Sequence, residues 1–174
     1  MTENEFIGRY PGPTVELSDE DSLTLNNPRF REGLLSLIHQ DPGPDASGLL
    51  RAILQREIIY RQGKGADDGE DEKGQYFENI YWCAFLLWRV GDLEDVIELW
   101  RAKHIDFDTG CGFDIQFLVG AGVEATILYL RVRTDSESRE ALEYIQDCIR
   151  AGNFDDMEGW ASFREQYFRG VKPV

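Results

Sequence analysis

The sequence is short of basic charge, of cysteine pairs and of long hydrophobic runs, and each shortage excludes something. Its 174 residues carry 18 Lys and Arg against 33 Asp and Glu, a formal charge of −15. Nucleic-acid binding needs clustered cations to neutralise phosphates, so this balance argues against it. The longest nearly apolar stretch, Ile80 to Trp88, is about half of the roughly 20 residues that a membrane-spanning helix requires. The opening MTENEFIGRYPGP has neither the basic n-region nor the apolar h-region of a secretory signal. The three cysteines, Cys83, Cys111 and Cys148, form no CxxC pair, which removes a thioredoxin-like redox centre and a zinc knuckle. Cys83 and Cys148 lie in helical patterns and read as small buried hydrophobes, whereas Cys111, between two glycines, is expected to be exposed. Reduced thiols without an export signal point to the cytoplasm.

What is present is enough apolar material for a core. The chain is 42% hydrophobic and 12% aromatic, too much for a disordered acidic protein. Residues 1–27 read as an irregular acidic N-terminal segment, with Pro11, Gly12 and Pro13 as breakers and Glu16, Asp19, Glu20 and Asp21 as an acidic run. Residues 28–174 read as a single helical domain. Asn27 and Pro28 form an N-cap and N1 pair for a helix over PRFREGLLSLIH. Leu49, Leu50, Ile53, Leu54 and Ile58 share a face of a second helix, which Asp45 or Ser47 can cap. Residues 62–75 set five acidic residues against Lys64 and Lys73, with four glycines and no large apolar side chain, and predict a mobile loop. Residues 76–90 are apolar almost all round, the mark of a central helix. Leu93, Val96, Ile97 and Trp100 then follow at i, i+3, i+4, i+7. Three more helices are expected over 115–133, with a break at Gly120-Ala121-Gly122, from Ser136, and over 155–168. The aromatic residues Tyr81, Trp82, Phe85, Trp88, Trp100, Trp160, Phe163 and Tyr167 are expected in the core.

The fold class is therefore all-α: about seven helices in antiparallel hairpins, an arrangement that extends naturally to an αα-superhelix-like stack. One internal echo supports it. Arg89-Val90-Gly91-Asp92-Leu93-Glu94-Asp95-Val96 aligns with Arg150-Ala151-Gly152-Asn153-Phe154-Asp155-Asp156-Met157. In each copy Gly supplies the left-handed residue that ends one helix, and Asp or Asn caps the next.

Chemical motifs are weak. Gly120-Ala121-Gly122-Val123-Glu124-Ala125 matches the GxGxxA form of a dinucleotide turn, but that turn needs a strand before it and a parallel strand about 30 residues on, and the downstream sequence is helical by period. Asp106, Asp108 and Asp114 in DFDTGCGFD resemble the start of a calcium loop, yet the position that should hold a bidentate Glu is Phe117. His39 and His104 each fall near a helix end, where a capping role suffices. No spacing marks a Ser/His/Asp or Cys/His set. No cofactor or metal is expected, no catalytic residue is assigned, and the reading leans away from an enzyme.

Charge then speaks for partners. A surface this acidic attracts cationic proteins and accelerates their encounter. A small, acidic, all-helical chain without a catalytic signature resembles the immunity proteins of bacterial toxin systems. That resemblance lies in the type of chain and in no motif, so it carries no residues over. It implies a protein-binding module that binds and neutralises a basic partner such as a toxin, with no nucleic acid and no membrane involved. The candidate partner-binding residues are Asp67, Asp68, Glu70, Asp71, Glu72, Asp106, Asp108 and Asp114. The alternative is an enzyme or small-ligand protein with a pocket near residues 106–122.

Overall fold

The computed structural model describes residues 1–41, 45–63 and 76–170. Among the described residues every regular element is helical, ten α-helices and two short 3-10 helices, with no strand. The chain divides into two compact units, Met1–Leu86 with Phe168–Val174, and Leu87–Tyr167.

The first unit corrects the reading of residues 1–27. They contain α1 (Glu3–Arg9) and α2 (Asp19–Thr24). Helix α1 starts on a capping box: Thr2 Oγ1 accepts from the Glu5 amide (3.3 Å), and Glu5 Oε2 accepts from the Thr2 amide (2.8 Å). Phe6 is fully buried, its ring 5.2 Å from that of Tyr10 and 5.3 Å from that of Phe30. The acidic run is the first turn of α2, where carboxylates suit the positive end of the helix dipole and Ser18 Oγ accepts from the Asp21 amide. Asp21 itself is buried and accepts from Arg9 Nη1 (2.8 Å) and from the Tyr10 hydroxyl. The Pro-Gly-Pro segment is tied down as well. Gly12 donates to Asp45 O and accepts from the Gly48 amide, and Arg51 Nη1 donates to Pro13 O.

Helix α3 (Pro28–Gln40) begins where Asn27-Pro28 predicts, with Asn27 Oδ1 accepting from the amides of Arg29 and Phe30. Helix α4 (Ser47–Arg61) starts with Asp45 Oδ1 accepting from the Ser47 amide at 2.9 Å. Helix α5 (Asn79–Val90) supplies Ile80, Tyr81, Trp82, Cys83 and Phe85 to the core of this unit, against Leu34, Leu35, Leu49, Ile53 and Phe168. Trp82 stacks on Phe168 at 5.8 Å and donates from Nε1 to His39 Nδ1 at 2.9 Å. His39 is thus an acceptor inside the core rather than a cationic cap.

The core also holds an ion pair. Arg31 Nε donates to Glu57 Oε1 at 2.5 Å, and Asn79 Nδ2 donates to the same oxygen at 3.2 Å. Arg31 Nη1 donates to the carbonyls of Leu25 and Asn26, so one guanidinium fixes the α2–α3 corner onto α4. Burial pushes the Glu57 carboxyl up, while Arg31 and Asn79 oppose it.

The second unit runs from the end of α5 through a 3-10 turn, Leu93–Asp95, into α6 (Val96–Lys103) and then α7 (Phe107–Gly112). A second 3-10 helix, Ile115–Val119, leads to α8 (Val123–Arg131), α9 (Ser136–Arg150) and α10 (Met157–Gly170). Helix α8 packs on α9, and α6 packs on α9, on α7 and on the second 3-10 helix. The two glycines of the internal echo have the expected left-handed backbone, Gly91 at φ +71° and Gly152 at φ +78°. The caps differ between copies. Asp92 Oδ1 accepts from the Glu94 amide, but in the second copy it is Asp156, not Asn153, whose carboxylate accepts from the Gly159 amide.

The Gly120-Ala121-Gly122 break serves close packing. A Cβ on Gly120 would lie 2.9 Å from Trp88 Cα, so only glycine lets the two backbones approach. The IQFLV run before it is the second 3-10 helix, not the strand that a dinucleotide turn requires. Among the aromatics expected inside, Phe163 is 60% exposed and Tyr167 lies partly in solvent. They stack on each other along α10, at i and i+4, instead of entering the core. No described helix is long and apolar enough to cross a membrane.

Candidate functional site

Of the candidate partner-binding residues, Asp67, Asp68, Glu70, Asp71 and Glu72 lie outside the described residues, as does most of the 62–75 loop. The other three fall in the second unit and differ in situation. Asp106 is the N-cap of α7, its Oδ1 accepting from the Thr109 amide at 2.7 Å. Asp108 lies exposed in the first turn of that helix. Asp114 is turned inward. Its Oδ2 accepts from Trp160 Nε1 (2.6 Å) and Arg164 Nε (2.6 Å), and Arg164 Nη2 lies 2.6 Å from the same oxygen. Trp160 meets Trp88 edge-on at 5.0 Å. Asp114 is therefore a half-buried brace between the α7–α8 connection and α10.

The segment read as a possible calcium-loop start is the helix α7, and two of its three aspartates already hold protein donors. Among the described residues no group of three His, Cys, Asp or Glu side chains is placed to hold a metal ion.

An open cleft of about 490 Å³ lies beside α7, lined by Lys103, His104, Asp106, Phe107, Gly110 and Cys111, with Tyr144 of α9 opposite. Lys103 ends α6 and is only 8% exposed. Its ammonium donates to Gly110 O (2.8 Å) and Phe113 O (2.7 Å), closing the C-terminal turn of α7 as a lysine does at the negative end of a helix. Burial holds the Lys103 ammonium below the usual lysine range, although the Asp114 charge opposes this. His104 is the C-cap of α6. Its Nδ1 lies 2.8 Å from Trp100 O, and because a carbonyl only accepts, Nδ1 carries the proton of that bond. The ring lies 3.9 Å from that of Trp100, and Tyr144 packs on Trp100 at 5.6 Å. Burial pushes both the Tyr144 phenol and the Cys148 thiol up, so neither is an activated nucleophile. Cys111 is a free, exposed thiol on the cleft wall.

The least expected lining residue is Phe107, 82% exposed at the first position of α7. Sequence reading passes over it, with Lys103 and Tyr144, and gives His104 only a capping role. A cue was there: Phe107 stands between two aspartates, and the positions three and four residues on, Gly110 and Cys111, give it no large apolar partner. Chemically, the cleft offers aromatic faces, an imidazole and one carboxylate, with its lysine committed to two carbonyls.

The chain matches no protein-family model, no curated protein and no solved structure.

Proposed function

We propose that this chain is an acidic protein-binding module of the immunity type, which binds a basic partner protein, such as a toxin, in the cytoplasm and neutralises it. The observation that carries the reading is the formal charge of −15 on a helical scaffold. Its interior takes in few of the carboxylates, Asp21, Glu32, Glu57 and Asp95 among them, and leaves runs such as Asp155, Asp156 and Glu158 at the surface. Fields of that sign raise the encounter rate with a cationic protein and repel acidic ones. Among the described residues α8 packs on α9, and a face of packed helices is a surface that such a module can present. The test is co-expression with the product of the adjacent gene. Growth arrest by that product alone, relieved by this chain, together with an association rate that falls steeply as salt rises, is the expected result. A salt-insensitive association, or no relief, overturns the reading.

A second reading, a small-ligand protein or enzyme with a pocket near residues 106–122, is favoured by the cleft at Lys103–Cys111. Neutralising exposed carboxylates away from the cleft, Asp155 and Asp156, separates the two. A partner held by charge loses association rate, whereas a ligand held in the cleft is unaffected.

A further inference from the structure

Within that reading, and resting on it, we propose that the α7–α9 cleft is the docking point for a basic segment of the partner, and that an arginine side chain fills it. Phe107 is a large aromatic side chain that folding leaves in water, on the wall of a cavity whose opposite wall is also aromatic. Exposed aromatic surface bordering a cleft is what a partner covers. The charges around it select the partner's sign. Asp106 and Asp108 stand on either side of Phe107, and Glu140 and Asp147 lie one turn before and after Tyr144 on the exposed side of α9. Asp147 is paired with Arg150; Asp106 is the carboxylate of the lining, and the exposed Asp108 and Glu140 neighbour Phe107 and Tyr144 along their helices. Lys103, the cation of the lining, is turned into Gly110 O and Phe113 O and is nearly covered.

The choice of arginine over lysine follows from shape. A guanidinium is planar, stacks on aromatic faces and presents several N–H groups at once. The cleft supplies the rings of Phe107 and Tyr144, and the carboxylate of Asp106 as an acceptor. An ammonium has no flat face to stack and is more strongly hydrated.

Cys111 lies on the same wall and reports occupancy directly. The full chain, carrying Cys148→Ser so that Cys111 is the reactive thiol, is alkylated with a maleimide. The reaction runs with a capped peptide alternating glycine and arginine, and with its lysine counterpart. At about ten times its Kd the arginine peptide should slow Cys111 alkylation roughly tenfold, as mass action requires of a shared site. The lysine peptide should bind roughly threefold or more weakly. Phe107→Ser and Tyr144→Ser should each abolish protection, and Phe107→Ser, at an exposed position, should leave the melting temperature unchanged. Binding that falls with salt but leaves Cys111 as reactive as before would overturn the cleft and spare the acidic-module reading. No binding of either peptide at low salt would sink both. Equal binding of the two peptides would overturn the arginine assignment. A dimer in sedimentation that Phe107→Ser dissociates would show the cleft wall covered by a second copy, and would also overturn the proposal.

Discussion

Asp114 is where the structure and a charge-based reading of the sequence make opposite demands, and replacing it by alanine decides between them. If the carboxylate were held for a partner, its loss would cost nothing in stability, as exposed acidic residues usually do. The structure requires a loss. Three N–H groups converge on Oδ2 within 2.6 Å, from Trp160 Nε1, Arg164 Nε and Arg164 Nη2. The Asp114 side chain is 25% exposed and that of Arg164 14%. A hydrogen bond to a charged group contributes about 1.5–3 kcal/mol, and breaking a fully buried pair from one side costs about 3–5 kcal/mol. The pair here retains some water, which screens the attraction, and the three bonds share one oxygen, so they do not add. Asp114→Ala is therefore expected to destabilise by about 2–3 kcal/mol, and Asp114→Asn by about half as much, because an amide oxygen still receives Trp160. Urea unfolding followed by tryptophan fluorescence reads both values, since Trp160 itself reports the site. A double-mutant cycle with Arg164→Met should return a coupling of about 1–2 kcal/mol. An Asp114→Ala variant within about 0.5 kcal/mol of the parent would refute the bracing role and return this carboxylate to the docking surface.

Three further substitutions probe the close packing and the buried charges. Gly120→Ala sets a methyl group against the Trp88 backbone and should cost about 1–3 kcal/mol by calorimetry, as forced overpacking does; a neutral result would refute the need for glycine there. Glu57→Leu strands the Arg31 guanidinium in the core and should cost about 3–5 kcal/mol, while Arg31→Met with Glu57→Leu should recover much of it; a double variant as unstable as the single would refute this. The Lys103 ammonium has its folded-state value lowered by burial, so in the window between that value and the unfolded value of 10.5 the unfolded chain holds the extra proton and stability rises with pH. Tyr144 and Cys148, both pushed up, slope the other way, and the comparison must therefore be made against Lys103→Met: the parent should gain stability relative to that variant as pH rises towards 10, and a flat difference would show the ammonium fully solvated.

The long helices were legible because their signals are local. Asn27-Pro28 started α3 where expected, Asp45 met the Ser47 amide at the start of α4, and Gly91 and Gly152 carried the left-handed backbone that the repeated turn demands. What escaped notice was short. Helices α1, α2 and α7 span 7, 6 and 6 residues, too few for apolar periodicity to register, and they sit among prolines, glycines and aspartates that read as breakers. Their caps were visible nonetheless: Thr2 with Glu5, Ser18 before an acidic turn, Asp106 with Thr109. In such segments a cap is stronger evidence than periodicity, since it satisfies amides that nothing else nearby can. Burial on α10 was misjudged for a related reason. Phe163 and Tyr167 share a helical face, and an aromatic stripe is assigned to the core by default, but i, i+4 aromatics also cover each other in solvent.

The carboxylates show why the site was harder to read than the fold. Net charge treats all 33 acidic residues alike, whereas folding sorts them by what each can reach. Asp21 finds Arg9 and Tyr10, Glu57 finds Arg31 and Asn79, Asp114 finds Trp160 and Arg164, and each spends its carboxylate on contacts within the fold. Those pairings span 11 to 50 residues of chain, so no local pattern announces them. Only after that subtraction does the distribution of the remainder acquire meaning. At the cleft it leaves Asp106 in the lining, with the exposed Asp108 and Glu140 near Phe107 and Tyr144 along their helices, and the Phe107 ring almost entirely in water. An exposed phenylalanine on the wall of a cleft that also holds a carboxylate suits a cationic side chain that stacks, and protection of Cys111 by an arginine peptide is the measurement that decides it.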